Sequence, residues 1–238
     1  MTGHRRLRRE FTAPSAASQA ATILTARSSR AATRPPWSCI PGPRNWSRQS
    51  DDPLQTAAKL AVVGNIIDSG VGLRFDLEAE IERASERRFA TGDFVRFREE
   101  MARASTVLYL ADNAGEIVFD RLLIEQMNHK QVLVAVRAEP MLNDALLADA
   151  EFAGIDRLAA VLTTGPGWPG AGVGNCSRDF LDAFTRADVI VAKGQGNYEW
   201  LSEAKANIFF LLMAKCPVVA RDLGVEMGEM VVTSTRKN

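Results

Sequence analysis

The sequence has few of the side chains on which most metal and nucleophile chemistry depends. Three cysteines, Cys39, Cys176 and Cys216, and two histidines, His4 and His129, occur in 238 residues. The cysteines lie far apart and form no CxxC pair, so no cysteine zinc site or redox dithiol is expected, and a reduced, cytoplasmic setting is the default. So few histidines nearly exclude histidine-ligated metals and Ser-His-Asp catalysis. Carboxylates, amides and lysine remain to carry any chemistry.

The composition also disfavours a membrane or a nucleic acid as partner. No apolar run approaches the ~20 residues that a membrane span needs. The formal net charge is +0, but residues 1–50 hold nine arginines and a single acid, Glu10, so the rest of the chain carries 20 basic against 28 acidic residues. This remainder is acidic, at about −8, which argues against nucleic acid as a main partner.

Residues 1–50 differ in composition from the rest of the chain. Besides nine Arg they contain no Lys, eight Ala, seven Ser and five Pro, which is not a core-forming pattern. Transit peptides are also rich in Arg and Ser, but no clear amphipathic apolar face is present here. We interpret residues 1–50 as a disordered or mis-translated N-terminal extension. Residues 51–238 are expected to form one α/β domain, with a helical part over 52–104 and a sheet part over 105–238.

The pattern of residues 52–104 predicts helices. Asp52 and Pro53 supply a capping side chain and a proline at the first helical position. Residues 54–67 form an almost wholly apolar helix, which should be buried on most sides. Asn65 and Asp68 are conspicuous there, because buried polar groups need partners; they either hydrogen-bond a neighbouring turn or face a polar site. Charged amphipathic helices with solvated faces are predicted over 76–90 and 93–103.

From residue 106 onward the chain alternates between strand and helix patterns. Apolar residues after Gly115 fall at helical spacing, whereas the preceding TVLYL is a short β-branched and apolar run. Strands are predicted over 106–110, 131–137, 159–163, 188–192, 208–213 and 230–233, with helices after Gly115 and over 144–153, 177–187 and 198–204. Strands separated by helices imply right-handed crossovers. The predicted fold is α/β, a doubly wound, mostly parallel sheet with helices on both faces and a helical N-terminal part.

Polar side chains follow four of the predicted strands. The carboxyl ends of parallel strands share one edge of the sheet, where ligands bind, so these side chains should converge. They are Asp112 and Asn113 after the first strand, Arg137, Asn143 and Asp144 after the second, Thr163, Thr164 and Gly165 after the third, and Lys193, Gly194, Gln195, Gly196 and Asn197 after the fourth.

This set indicates a metal ion and a phosphate. Asp112, Asn113 and Asp144 offer two carboxylates and an amide oxygen, the hard ligands that Mg²⁺ or Mn²⁺ prefers. Lys193 lies beside two glycines, whose backbone N–H groups can approach an anion. Simpler interpretations exist, because Asp112 and either Asn143 or Asp144 could be helix caps and KGQG an ordinary turn. Taken together, the convergent groups favour a metal-plus-phosphate site.

Familiar phosphatase signatures are missing from the sequence. No DxD pair supplies an aspartyl nucleophile, and one residue too few separates Cys216 from Arg221 for a cysteine-phosphatase loop. GPGWPGAG, over residues 165–172, does not match a Walker A loop. A metal-activated water is the remaining nucleophile.

Five segments resemble the damage-control phosphatase family, formerly a domain of unknown function, and in particular its compact, short branch. They are LAVVGNIIDSGV, YLADNAGEIVFDRLLIE, NDALLADAE, KGQGNYE and AKCPVVA. The similarity runs over about residues 52–233, and the combination of DNAGE with KGQGNYE is highly specific.

The resemblance implies a phosphatase that uses Mn²⁺, Co²⁺, Ni²⁺ or Mg²⁺ and a metal-activated water. Its substrates would be phosphomonoesters of small metabolites, such as sugar or cofactor phosphates and damaged forms of them. Asp112, Asn113 and Asp144 would be the metal ligands, Lys193 the phosphate-binding residue, and Glu116 a further catalytic candidate. Other candidates that would line the substrate site are Asn65, Asp68, Arg137, Gly165, Asn197 and Glu199.

Two departures from the family leave other functions open. The N-terminal region shows neither the helical segment nor the CxxC pair that members of this branch often have, so the helical cap over the substrate is expected to be incomplete. RAEP, over residues 137–140, replaces glycines. The alternatives are a carboxyl methyltransferase that uses S-adenosylmethionine, although an acidic cluster stands where that cofactor needs a glycine-rich turn, and a metal-binding protein without activity. The sequence does not indicate an oligomeric state.

Overall fold

One sheet positions the candidate residues. The structure, a computed structural model, describes residues 50–67, 83, 86–127, 129–166 and 175–235, without the side chains of 65–67. Six strands lie in the order β3-β2-β1-β4-β5-β6. They are β1 (Thr106–Leu110), β2 (Gln131–Val136), β3 (Ala160–Thr163), β4 (Val189–Lys193), β5 (Ile208–Met213) and β6 (Met230–Ser234). The predicted extension over 1–50 lies almost wholly outside the described residues, so the domain boundary stays a prediction.

Five strands are parallel and the sixth is antiparallel. β1 pairs with β2 and β4, β2 with β3, and β4 with β5, all in parallel. β6 begins beside the end of β5, where Met213 pairs with Met230, so it runs back along its neighbour. The connection between them, residues 214–229, returns the chain to the same end of the sheet instead of crossing it. The sheet is therefore mostly parallel, as the alternation of strand and helix predicted.

Helices cover both faces of the sheet, which confirms the doubly wound fold. The described residues include α1 (Pro53–Ile67), α2 (Asp93–Arg103), α3 (Ile117–Glu125), α4 (Leu147–Phe152), α5 (Arg178–Arg186), α6 (Gly194–Leu201) and α7 (Pro217–Leu223). Side chains alternate between the two faces of a strand. Val107 and Tyr109 of β1 pack with α1 to α4, whereas Leu108 and Leu110 pack with α5 to α7.

Helix α1 begins and packs as the sequence predicted. The Asp52 side chain accepts a hydrogen bond from the backbone N–H of Gln55 at 3.1 Å, which caps the first turn. The residues of α1 from Ala57 to Val63 are buried, several of them completely. Gly64 allows close contact with α3, because a Cβ atom there would lie 2.9 Å from Phe119 Cδ2 and 3.2 Å from Glu116 Cβ.

Several element boundaries differ from the sequence prediction. The helix predicted over 76–90 lies mostly outside the described residues, and residues 87–89 are not helical. Ala90 instead donates its backbone N–H to Met230 at the edge of the sheet. Helix α6 begins at Gly194, four residues before the predicted start at Tyr198. Helix α7 was not predicted, although Cys216 caps it and Pro217 occupies its first position.

Within the described part of the chain, every helix is too short or too polar to cross a bilayer.

Candidate functional site

The site lies where the strand order reverses, between β1 and β4. In an open α/β sheet this switch point leaves a crevice beyond the carboxyl ends of the strands. Asp112 follows β1, and Gly194 follows β4. A Cβ atom on Gly194 would lie 1.8 Å from Asp112 Oδ2, and the backbone of Gly194 has a φ of +77°. Only glycine therefore leaves room for the Asp112 carboxylate in this conformation.

The loop after β2 folds back onto the end of β1. Asn113 and Asp144 face each other in an antiparallel bridge. The backbone N–H of Ala145 donates to the Asp112 carbonyl at 2.8 Å, and the N–H of Ala114 donates to the Asn143 carbonyl at 2.8 Å. These bonds place the three predicted metal-ligating residues side by side on adjoining backbone segments.

None of these residues caps a helix in the way that the simpler interpretation required. Helix α3 begins at Ile117, with Glu116 at its N-cap position, so Asp112 lies outside its first turn. Helix α4 begins at Leu147, three residues after the predicted start at Asp144. The acid that bonds to the first turn of α4 is Asp149, which accepts from the Leu146 backbone N–H at 2.9 Å. A capping role therefore does not account for Asp112 or Asp144.

Arg137 pairs with one of the predicted ligands. Its Nε atom donates to Asp144 Oδ2 at 2.7 Å, and both side chains are about nine-tenths buried, at 9% and 10% exposed. Burial lowers the pKa of Arg137, while the hydrogen bond and charge of Asp144 oppose that shift. Arg137 thus brings a cation to the edge of the sheet beside Asp144.

The amide of Asn113 has a fixed orientation. Its Nδ2 atom donates to Asp112 Oδ2 at 2.9 Å and to Glu116 Oε2 at 3.2 Å. Ionised carboxylates can only accept hydrogen bonds, so both of these oxygens must face the NH₂ group. The amide oxygen consequently points away from Asp112 and Glu116.

Behind Asn113 lies a group of fully buried charges. The side chains of Lys193, Glu116 and Asp120 are all 0% exposed. Lys193 Nζ donates to Asp120 Oδ1 at 2.7 Å, to Glu116 Oε1 at 3.2 Å and to the Ala61 carbonyl at 2.8 Å. Tyr109 donates its hydroxyl to Asp120 Oδ1 at 2.8 Å. We call Lys193, Glu116, Asp120 and Tyr109 the buried charge cluster.

The pKa values in this cluster follow from burial and pairing. Burial raises the pKa of Asp120 to about 6, although the Lys193 ammonium opposes the shift. For Lys193, burial favours the neutral amine, but the charges of Asp120 and Glu116 outweigh it and hold the pKa above its usual value. Burial also raises the pKa of Tyr109, and the Asp120 charge adds to the shift. The lysine therefore stays charged and the tyrosine stays neutral at physiological pH.

Other predicted site residues lie near this centre or outside the described residues. Asn197 Nδ2 donates to the Lys193 carbonyl at 2.8 Å and to the Ala111 carbonyl at 3.3 Å, which ties the end of β4 to the end of β1. Glu199 is exposed and accepts from Gln195 Nε2 at 2.8 Å. Gly165 has a φ of +79° and packs against Ser177 at the end of β3. The Asn65 side chain and Asp68 lie outside what the structure describes.

Sequence reasoning missed Tyr109 and Asp120. A signal for both was available, because Asp120 lies one helical turn after Glu116 on an otherwise apolar face, and Tyr109 is the polar residue of TVLYL. The sequence predicts Lys193 in a loop, whereas it is the last residue of β4. The alternation Val189, Val191, Lys193 puts its side chain on the face that α1 and α3 cover.

The chemistry of the donors fits a hard cation. Among the described residues no three His, Cys, Asp or Glu side chains are gathered as metal ligands, so the predicted set depends on two carboxylates and the Asn113 amide oxygen. Six neighbouring side chains share four formal negative charges, on Asp112, Glu116, Asp120 and Asp144, and two positive ones, on Arg137 and Lys193. Oxygen donors in an acidic setting suit Mg²⁺ or Mn²⁺.

The chain matches a known family over most of its length. The sequence model of the damage-control phosphatase ARMT1-like domain matches residues 20–231. A damage-control phosphatase from Pyrococcus horikoshii is 44% identical over 183 residues, which are 75% of this chain and 64% of the relative. A damage-control phosphatase from Archaeoglobus fulgidus is 40% identical over 188 residues, 76% of this chain and 65% of the relative.

A solved structure has the same fold. The crystal structure of a DUF89 family protein from Pyrococcus horikoshii superposes with a TM-score of 0.72 and 40% sequence identity, over 82% of this chain and 71% of that one. The matched part of the present chain covers 64% and 65% of the lengths of the two phosphatase relatives, which is somewhat less than two thirds.

Proposed function

Since the chain belongs to the damage-control phosphatase ARMT1-like domain family, we propose that it is a metal-dependent phosphatase of small phosphorylated metabolites. The observation that carries this proposal is the convergence of Asp112, Asn113 and Asp144 at the switch point of the sheet. Gly194 makes room for the first of them, and the fold-back loop brings the third beside the second. The names of two relatives, both damage-control phosphatases, support the same reaction.

Each side chain has a stated task in this proposal. Asp112, Asn113 and Asp144 hold Mn²⁺, Co²⁺, Ni²⁺ or Mg²⁺. When bound, such an ion lowers the pKa of a water molecule and offsets charge on phosphoryl oxygens. Arg137 holds Asp144 in place and presents a guanidinium, which suits phosphate, at the edge of the sheet. The substrates are phosphomonoesters, with sugar and cofactor phosphates as the expected classes.

The phosphate-binding role of Lys193 stays a prediction, and it requires Lys193 to give up one of its present hydrogen bonds. Its ammonium has three N–H donors, and three acceptors surround it: Ala61 O, Glu116 Oε1 and Asp120 Oδ1. Direct contact with a phosphoryl group requires exchange of at least one of these partners. Asn65, Asp68, Gly165, Asn197 and Glu199 likewise stay predictions as residues that line the substrate site, as does the cytoplasmic setting.

The test is phosphate release by the full chain. Purified protein is incubated with a generic aryl phosphate and each of the four metal ions in turn, and with a labelled methyl donor in a parallel reaction. We expect phosphate release that requires the metal and that falls to the no-enzyme level in Asp144→Asn. Asp182→Asn, which alters an exposed aspartate on α5, is the matched control and should retain activity. Methyl transfer without phosphate release, or neither reaction with any of the metals, would contradict the proposal.

A further inference from the structure

We propose that Glu116 is a positioning residue, which orients the Asn113 amide so that its oxygen, and not its NH₂ group, faces the cation. This inference rests on the proposed metal site. It assigns Glu116 a task that involves no contact with the ion or the substrate. Lys193 takes part because it determines which oxygen of Glu116 is left for Asn113.

The Asn113 amide can adopt two orientations, and its neighbours favour one of them. Asn113 Nδ2 lies 2.9 Å from Asp112 Oδ2 and 3.2 Å from Glu116 Oε2. If the amide were rotated by 180°, its oxygen would face two carboxylate oxygens, and no proton would lie between them. Asp112 alone would not fix the orientation of the amide, because it is itself a predicted metal ligand. Glu116 supplies a second acceptor that lies outside the ligand set.

Glu116 is itself held on two sides. Its Oε1 atom accepts from Lys193 Nζ at 3.2 Å, so Oε2 faces Asn113. Its Cβ atom lies against Gly64 of α1, where a Cβ on the glycine would be 3.2 Å away. The side chain is 0% exposed and has little room for another rotamer. Lys193 and Asn113 therefore contact different oxygens of Glu116.

Stability alone does not require a buried charge cluster at this position. A buried ion pair is often no more stabilising than apolar side chains of the same volume. Apolar side chains in place of Lys193, Glu116 and Asp120 together could therefore fill this space. Groups behind metal ligands commonly fix the orientation of those ligands, and Glu116 has the geometry for that task.

Replacement of Glu116 by Gln gives a defined prediction. Lys193 can only donate, so the Gln oxygen must face Lys193 and the Gln NH₂ must face Asn113. Two NH₂ groups would then oppose each other, and the Asn113 amide would rotate and present its NH₂ to the cation. We expect Glu116→Gln to fold but to bind Mn²⁺ about tenfold or more weakly, the range typical for loss of such a partner.

The comparison variant is Asp120→Asn, which removes the same charge one helical turn away. Asp120 receives both of its hydrogen bonds, from Tyr109 and Lys193, on Oδ1. Its Oδ2 atom has no hydrogen-bond partner in the part of the chain that the structure describes, so an Asn oxygen can replace Oδ1 and keep both bonds. Both variants lose one negative charge, so any effect of the charge itself is common to them. Only Glu116→Gln replaces the acceptor that faces the Asn113 NH₂ group by a donor.

A second pair of variants tests the inference at constant charge. Asn113→Asp combined with Glu116→Gln lets the Gln NH₂ donate to the new carboxylate. Asn113→Asp combined with Asp120→Asn has the same net charge but leaves the new carboxylate against Glu116. We expect the first combination to bind Mn²⁺ more tightly than the second. This comparison holds even if the single variant Glu116→Gln does not fold.

Mn²⁺ titration of the full chain by calorimetry, with circular dichroism to confirm folding, separates the outcomes. Glu116→Gln should bind about tenfold more weakly than Asp120→Asn; equal weakening of the two overturns the positioning role. Equal affinity of the two double variants, or the reverse order, overturns it as well. Asp144→Asn tests the proposed metal site on its own: if it binds Mn²⁺ as the wild type does, the metal site fails, whatever the result at Glu116.

Discussion

Ionisable groups lie near both ends of strands β1 and β4, and the two ends differ in how far these groups are exposed and in what they bond to. At the amino ends, exposed Asp188 accepts hydrogen bonds on Oδ2 from the backbone N–H groups of Ser105 and Thr106 and from the Thr106 hydroxyl, each at 2.9 Å. At the carboxyl ends, Lys193 and Glu116 are 0% exposed and bonded to each other.

The two arrangements differ in their cost in free energy. A carboxylate that meets both water and backbone N–H groups costs little free energy, and Asp188 satisfies the N–H groups at the start of β1. Unless it is paired, a charge that is buried away from water costs several kcal/mol of stability. A single mutation typically changes the free energy of unfolding by a similar amount. The carboxyl end keeps such charges and pairs them, at the edge of the sheet where ligands bind.

The largest expected effect follows from removal of the buried cation. Lys193→Met leaves Glu116 and Asp120 buried without their ammonium, which should lower the free energy of unfolding by about 3–5 kcal/mol. Lys205→Met, at an exposed position, is the control and should change it by less than about 0.5 kcal/mol. Urea unfolding measures both. A loss below about 1 kcal/mol in Lys193→Met would show that the two ends of the strands do not differ as described.

A smaller effect is expected at Gly194. Gly194→Ala adds a Cβ atom against Asp112 at a φ of +77°, so both backbone strain and a steric clash result. Gly224→Ala, at a φ of +69° with nothing within 4 Å, isolates the strain. We expect a loss of about 1–2 kcal/mol for the control and about 2–4 kcal/mol for Gly194→Ala, with weaker Mn²⁺ binding only in the latter. Equal losses in thermal unfolding would mean that Asp112 moves aside freely.

The smallest effect concerns Asp188 and depends on pH. Hydrogen bonds from the Thr106 and Ser105 backbone lower the pKa of Asp188. A carboxyl whose pKa is lower in the folded state adds stability above its unfolded pKa of about 3.9, and that stability is lost as the pH falls through the folded value. Asp188→Asn should therefore melt below the wild type at pH 7, and the gap should narrow at pH 3. Glu203→Gln, another exposed carboxylate, serves as the control; a gap that widens in acid would refute the assignment.

The sequence predicted the positions of the strands, but not the direction of the last one. Short apolar runs locate each of the six strands to within one residue at either end, because strands buried on both faces of a sheet need continuous apolar runs. The antiparallel direction of β6 depends on where the chain lies after α7, and no local pattern encodes that. Helix α7 itself was missed, although Cys216 and Pro217 form a recognisable helix start.

The candidate site was predictable in its residues but not in its contacts. Strand ends identified Asp112, Asn113 and Asp144 because parallel strands share an edge. The bridge between Asn113 and Asp144 depends on a loop that reverses at Leu142, whose φ of +51° is not suggested by a leucine. The sequence pattern ends the strand at Ala192 and so predicts a loop position for Lys193, whereas β4 includes Lys193, and that single residue decides between exposure and burial.

Helix α1 is one of the elements that enclose the buried charge cluster. The Ala61 carbonyl accepts a hydrogen bond from Lys193 Nζ at 2.8 Å, so the backbone of the helix is part of the ammonium's surroundings. Since Lys193, Glu116 and Asp120 have no exposed surface, rotation of their side chains alone does not bring them into solvent. Proton exchange between these groups and bulk water therefore requires local opening of the elements that surround them, α1 among them.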